Sequence, residues 1–150
     1  MADNSNPALE RLSPFVGEWD MEISSLSFQE DPSAMVRGHA SFEWLQGGAF
    51  LLERFQVSHP DFPHGISIIG TDDAAETYCM LYFDSRNVSR IYRMTMSGQT
   101  WTLWREFPGF SQRYSGIFSE DNNVITGRWE KSEDGSTWEL DFNVTYTRGR

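Results

Sequence analysis

Three groups of side chains in this 150-residue chain have the type and spacing for chemistry. In the segment His59-Pro60-Asp61-Phe62-Pro63-His64 two imidazoles flank a carboxylate. Such a set can move protons near neutral pH or contribute to a metal site. It lacks a third clear ligand and a nearby nucleophile, so the plainer reading is a capped loop whose His59, His64 and Phe62 line an opening. Glu53, in the segment Phe50-Leu51-Leu52-Glu53-Arg54-Phe55, is the one acid that strand alternation places inside. A desolvated carboxyl there can act as a general base, or it can pair with an inward arginine. Arg90, Tyr92, Arg105, Gln112 and Lys131 form a third group, rich in donors. A guanidinium among them can grip a carboxylate through two parallel hydrogen bonds. No Ser-His-Asp spacing, phosphate loop, Cys-x-x-Cys or His-Glu-x-x-His is present, so no catalytic residue and no metal site is assigned.

These side chains must be positioned by strands. Residues 18–28, 34–45, 49–59, 64–71, 77–84, 88–96, 100–107, 110–119, 123–131 and 137–148 read as ten short strands, and every proline falls outside their interiors. Asn6-Pro7 starts a helical turn to about Leu12, with Asn6 as its N-cap and residues 1–6 as a disordered tail. Residues 7–150 form one domain. Gly47-Gly48, Gly98-Gln99, Pro108-Gly109 and Asp134-Gly135 are hairpin centres. Pairing outward from them puts Trp44, Leu51, Phe55, Trp101, Tyr114 and Trp129 on one face, with Arg37, Glu43, Arg54, Arg113 and Arg128 on the other. The same parity assigns Ile66, Ile68, Cys79, Leu81, Phe83, Trp138 and Leu140 to the apolar face, and Glu139 and Asp141 to the polar one. It also places Glu53 opposite Gly70.

The expected fold is therefore all-β: a ten-stranded antiparallel up-and-down barrel with a short N-terminal helical turn closing one end. With an even strand number the first and last strands are neighbours, so Trp19 meets Arg148, guanidinium over indole, and Gly17 gives the sharp entry. That end also holds residues 72–76 and the Asp121-Asn122 turn. The opposite end, the mouth, gathers residues 29–33, 59–64 and 84–87 with the Pro108-Gly109 and Asp134-Gly135 turns. Tyr92, Arg105, Gln112 and Lys131 fall in one inward row, with Arg90, His59 and His64 nearer the mouth. An inward arginine must find an anion or reach water. Either these side chains snorkel to solvent at strand ends, or they form an anion-accepting head site over an apolar pocket.

A helical lead-in, Gly17-Glu18-Trp19 at the first strand, ten strands and a terminal Arg148 together resemble the calycin superfamily. Within it the chain is similar to lipocalins, fatty-acid-binding proteins and nitrobindin-type haem barrels, and to bacterial lipocalin-like proteins of this size. The resemblance implies small-molecule binding inside the barrel. Nitrobindin-type barrels hold haem through a histidine near the chain's end, and here no histidine follows His64, so His59 or His64 would have to substitute. The expected ligand-binding set is Trp44, Glu53, His59, His64, Arg90, Tyr92, Trp101, Arg105, Gln112, Tyr114 and Trp129, with Gly17, Trp19 and Arg148 as structural closure. The expected function is non-catalytic binding of a small apolar or aromatic molecule with an acidic head. The alternatives are an isomerase or hydrolase using the same cavity, or haem binding as in nitrobindin-type barrels.

Composition narrows the partners. A net charge of −10 disfavours nucleic acid and anionic membrane. One cysteine, Cys79, allows no internal disulfide and reads as a small core residue. The opening residues lack a basic and apolar signal region, so a cytoplasmic protein is expected, monomeric or homodimeric. Six Trp and eleven Phe suit a pleated, half-buried framework.

Overall fold

A computed structural model describes residues 7–24, 35–45, 47–71 and 77–149. The expected tail at residues 1–6, the Asn6 cap, the first strand beyond residue 24, residue 34 of the second strand and the connections 29–33 and 72–76 lie outside the described residues. A helical turn α1 (Pro7–Glu10) and a 3-10 turn (Ser13–Phe15) lead into ten strands. These are β1 (Gly17–Ser24), β2 (Val36–Leu45), β3 (Phe50–Val57), β4 (Gly65–Thr71) and β5 (Tyr78–Asp84), then β6 (Val88–Ser97), β7 (Thr100–Arg105), β8 (Ser111–Phe118), β9 (Val124–Ser132) and β10 (Glu139–Arg148). Every strand pairs antiparallel with its sequence neighbours, and β1 pairs with β10, closing the barrel. Among the described residues no helix is long and apolar enough to cross a membrane.

The closure follows from residue types. Trp19 lies opposite Arg148 in register, and the Arg148 guanidinium sits 4.2 Å from the indole centroid. Arg148 Nη1–H donates to Val16 O at 2.8 Å, Nη2–H to Pro14 O and Asn122 O at 2.6 and 2.9 Å, and Nε–H to Asn123 Oδ1 at 3.1 Å. Trp19 Nε1–H donates to Phe15 O at 2.7 Å. Gly17 has φ +131°, and a Cβ there would press on Arg148 Nη1, so both backbone and neighbour demand glycine. Leu9, Leu12 and Phe15 are buried and plug this end, with Phe15 edge-on to Trp101 and Phe118. The Tyr78 hydroxyl ties β5 to Ala8 O of α1.

Inside, alternation gives a continuous aromatic core. Tyr114 is 1% exposed and lies across Gly116 and Gly127, which face each other on β8 and β9. Its ring fills the space that a side chain at either glycine would need. Trp44 and Trp129 turn inward, Arg37, Glu43 and Arg128 outward, as the hairpin pairing predicts.

The structure corrects the expected parity in two places. On β4 and β5 the inward residues are Ser67, Ile69, Tyr78, Met80 and Tyr82, while Cys79, Ile66 and Phe83 are exposed and Ile68 and Leu81 share their outward face. Glu53 consequently pairs with Ser67, not with Gly70. The β3–β4 connection is too long to transmit parity as a two-residue turn does, and β5 is apolar on both faces, so hydrophobicity does not select its register. On β10 the register shifts between Leu140 and Phe142. The extra residue turns Asp141 toward the cavity and places Trp138 outside, 4.1 Å from the Arg113 guanidinium. Leu140 pairs with Glu130, whose carboxylate binds Arg113 on the outer face.

Candidate functional site

The mouth half of the barrel holds a cavity of about 320 Å³. That is the small end of the range for ligand pockets. Its apolar walls include Met21, Phe55, Met80, Trp129, Phe142 and Val144, and Phe62 and Phe110 close over it from two loops. Phe55 stacks on Tyr82 at 5.7 Å, and Phe62 is edge-on to Phe142 at 5.8 Å.

The mouth is polar and mostly paired. Asp84 and Asn87 bound a turn in which Asn87 takes φ +65° and its N–H donates to Asp84 O at 3.0 Å. Arg86 is thereby folded back, with Nη2 2.7 Å from Asp84 Oδ2, and the Tyr82 hydroxyl donates to the same oxygen at 2.7 Å. Burial would raise the Asp84 pKa, but the Arg86 and Tyr82 hydrogen bonds outweigh it and hold it down to about 2. Lys131 lies 4.0 Å from Asp141. Arg90 is half-buried, lines the cavity and sits 5.1 Å from the Phe110 centroid. Among the described residues no carboxylate lies within ion-pair distance of Arg90.

The expected inward row exists as register: Arg105 pairs with Gln112, and Gln112 with Lys131. Tyr92 joins it by donating to Gln112 Oε1 at 2.6 Å, and both are buried. Burial raises the Tyr92 pKa, against the pull of nearby Arg90 and Arg105. Arg105 itself leaves the row. The Phe107–Phe110 turn, closed by Phe110 N–H to Phe107 O at 3.1 Å, puts proline and a glycine of φ +89° at its centre. That turn offers Arg105 the Phe110 carbonyl at 3.2 Å and the Phe107 ring at 5.2 Å, and the guanidinium lies outside the cavity lining.

At the plug-side floor stands Glu53, 6% exposed. Burial pushes its pKa up to about 7, offset in part by the Ser67 hydroxyl. Ser67 lies close enough to favour the charged carboxylate, yet without a hydrogen bond of regular geometry. Tyr114 and Tyr146 are raised by burial first and by the Glu53 charge second, so Glu53 is within electrostatic reach of both phenols.

Of the residues expected to bind ligand, the cavity brings together Glu53, Arg90, Tyr92, Trp101, Gln112 and Trp129. Trp44, His59, His64, Arg105 and Tyr114 do not line it. Trp44 lies beside Leu51 toward the plugged end. His59 Nδ1 accepts from Asp61 N–H, and His64 lines an outer groove with His39 and Arg54. With no imidazole in the cavity wall, neither His59 nor His64 fits the haem-ligand role that the resemblance would require. Among the described residues no three His, Cys, Asp or Glu side chains converge as a metal site. Sequence reasoning missed Ser67, Tyr82, Arg86 and Asp141. A serine between two isoleucines on β4 was the available signal for the first, once Glu53 is known to face it.

No curated protein matches the chain. The crystal structure of Rv2717c from M. tuberculosis has the same fold, with a TM-score of 0.72 at 14% identity over 97% of this chain and 99% of that one. A family described as protein of unknown function, DUF1579, matches residues 5–148. The chain belongs to this DUF1579 family.

Proposed function

We propose that the barrel is a non-catalytic binder or carrier of a small apolar or aromatic carboxylic acid, with the carboxylate at the mouth and the apolar body inside. Arg90 carries this reading. Arg86 and Lys131, the other cations of the lining, face Asp84 and Asp141, whereas Arg90 has no carboxylate beside it among the described residues. A half-buried guanidinium above an aromatic cavity is stabilised by an anion brought by a ligand. Tyr92, next to it, spends its proton on Gln112, whose side-chain amide lines the same cavity and offers the acid an N–H donor. The closure by Gly17, Trp19 and Arg148 supports a calycin-like placement. Arg37, Glu43, Arg54, Arg113 and Arg128 on the outer face and an apolar interior are the reverse of a membrane barrel, which supports a barrel that works in water.

Removing Arg90 is expected to weaken binding of phenylpropionate roughly 10- to 150-fold, the loss of one charge-assisted bond of about 1.5–3 kcal/mol. The outer-face variant Arg37→Ala should leave affinity unchanged. Titration calorimetry of wild type and Arg90→Ala against the acid and its methyl ester tests this directly. Equal binding of acid and ester to both proteins would show that the mouth holds no carboxylate site.

A second reading rests on Glu53. A desolvated carboxyl with its pKa near 7, facing a ligand-sized cavity, suits a general base for an isomerase or hydrolase. Turnover abolished in Glu53→Gln with ligand affinity retained would favour it.

A further inference from the structure

The floor of the cavity carries more polar capacity than the protein uses. Ser67 Oγ and Trp101 Nε1 are buried without hydrogen-bond partners, in residues 1% and 2% exposed, and both residues line the cavity with Glu53. An unpaired buried donor has lost its water and gained nothing in return, so native interiors rarely leave one idle. Trp101 cannot turn away to find a partner, because Phe15 of the plug and the Tyr114 ring pack against it at 4.8 and 4.7 Å. Ser67 is fixed opposite Glu53 by the β3–β4 register.

The three groups differ in what they ask for. An indole N–H only donates, an ionised carboxylate only accepts, and a serine hydroxyl does both. A ligand ammonium could satisfy Glu53 but not Trp101, since it accepts nothing. A carbonyl could accept from Trp101, and from Glu53 when that carboxyl holds its proton, but it gives nothing to the ionised carboxylate. A hydroxyl does both at once, accepting from Trp101 Nε1–H and donating to Glu53, with Ser67 free to complete its second lone pair. We infer that the floor is a second recognition subsite, built for a hydroxyl group, so that the ligand is an apolar or aromatic acid hydroxylated at the end opposite its carboxylate. This rests on the proposed binding of a ligand within the barrel, and it assigns the deep end of that ligand.

Two matched pairs of probes separate the floor from the mouth. Phenol and toluene have nearly the same shape and no carboxylate, so their comparison does not involve Arg90. Para-hydroxyphenylpropionate and phenylpropionate repeat the comparison with the head group present. Calorimetry on wild type is expected to show the hydroxylated member binding roughly 10-fold tighter or more in each pair, as befits a site whose polar groups are otherwise unpaired. In a nitrogen-labelled sample the Trp101 indole N–H resonance should shift on adding phenol and stay unshifted with toluene. Trp101→Phe and, independently, Ser67→Ala should reduce the preference. Toluene binding wild type as tightly as phenol overturns the subsite, and so does binding of neither probe inside the barrel. A phenol preference alongside equal affinity for phenylpropionate and its methyl ester would uphold the floor while refuting the role of Arg90.

Discussion

Arg148→Ala is expected to cost about 3–5 kcal/mol of stability, a drop in Tm of roughly 6–20 °C for a domain of this size. One guanidinium donates to the carbonyls of Pro14, Val16 and Asn122 and to the Asn123 side chain, while covering the fully buried Trp19. These partners come from the lead-in and from the β8–β9 turn. The variant therefore unfastens both of these segments from the end of β10 and leaves three carbonyls in a partly buried place without a donor. Water reaching the barrel end recovers part of the loss, which sets the upper limit. Arg148→Lys should recover less than half, because a single ammonium cannot serve these acceptors in the geometry of a planar fork. Urea denaturation followed by circular dichroism checks both variants. A loss below about 1 kcal/mol in Arg148→Ala would mean that the barrel closes without this contact.

Glu53→Gln is expected to stabilise the protein by about 2–3 kcal/mol at pH 8 and by almost nothing near pH 4. The folded-state pKa of about 7 lies above the ordinary value of 4.5 because burial disfavours the charged carboxylate. Between those values the folded chain binds more protons than the unfolded chain, so stability falls as pH rises through the window. The full cost is present above the folded pKa and vanishes below the unfolded one. A neutral amide of the same shape carries no such cost. Acids held low by hydrogen bonds, such as Asp84 and Asp134, lose stability in the opposite direction as pH falls, but they are common to both proteins and cancel in the difference. Denaturant titrations of the pair from about pH 4 to 8 provide the test. A difference that stays constant across that range would place Glu53 in contact with water or with a cation.

The barrel was legible because its signals were redundant. Two-residue turns at Gly47-Gly48 and Gly98-Gln99 fix which side chains share a face on the strands they join, and the closing pair of Trp19 and Arg148 follows from an even strand count. Parity failed where no such turn transmits it. β4 presents isoleucines on both faces and β5 alternates Tyr, Met and Tyr against Cys, Leu and Phe, so neither face is marked as the inner one. The β10 bulge is a single extra residue that reverses Asp141 and Leu140, and composition gives no sign of it. The polar row was placed correctly along the strands, yet Arg105 lies at a strand end where a turn carbonyl competes for it. Arg90, two residues before Tyr92 on the same face, keeps its guanidinium at the cavity. Position along a strand is thus readable from sequence, whereas the partner chosen by a long flexible cation depends on loops that only the folded chain brings near.

The most direct test of the account is to locate an acid in the barrel. Crystals grown with para-bromophenylpropionate allow the bromine to be placed by its anomalous scattering. The account predicts a bromine peak inside the barrel between Trp129 and Trp101, with the carboxylate density beside Arg90 and Tyr92. Bromine on the outer face, or a carboxylate buried against Glu53 with the ring at the mouth, would contradict it.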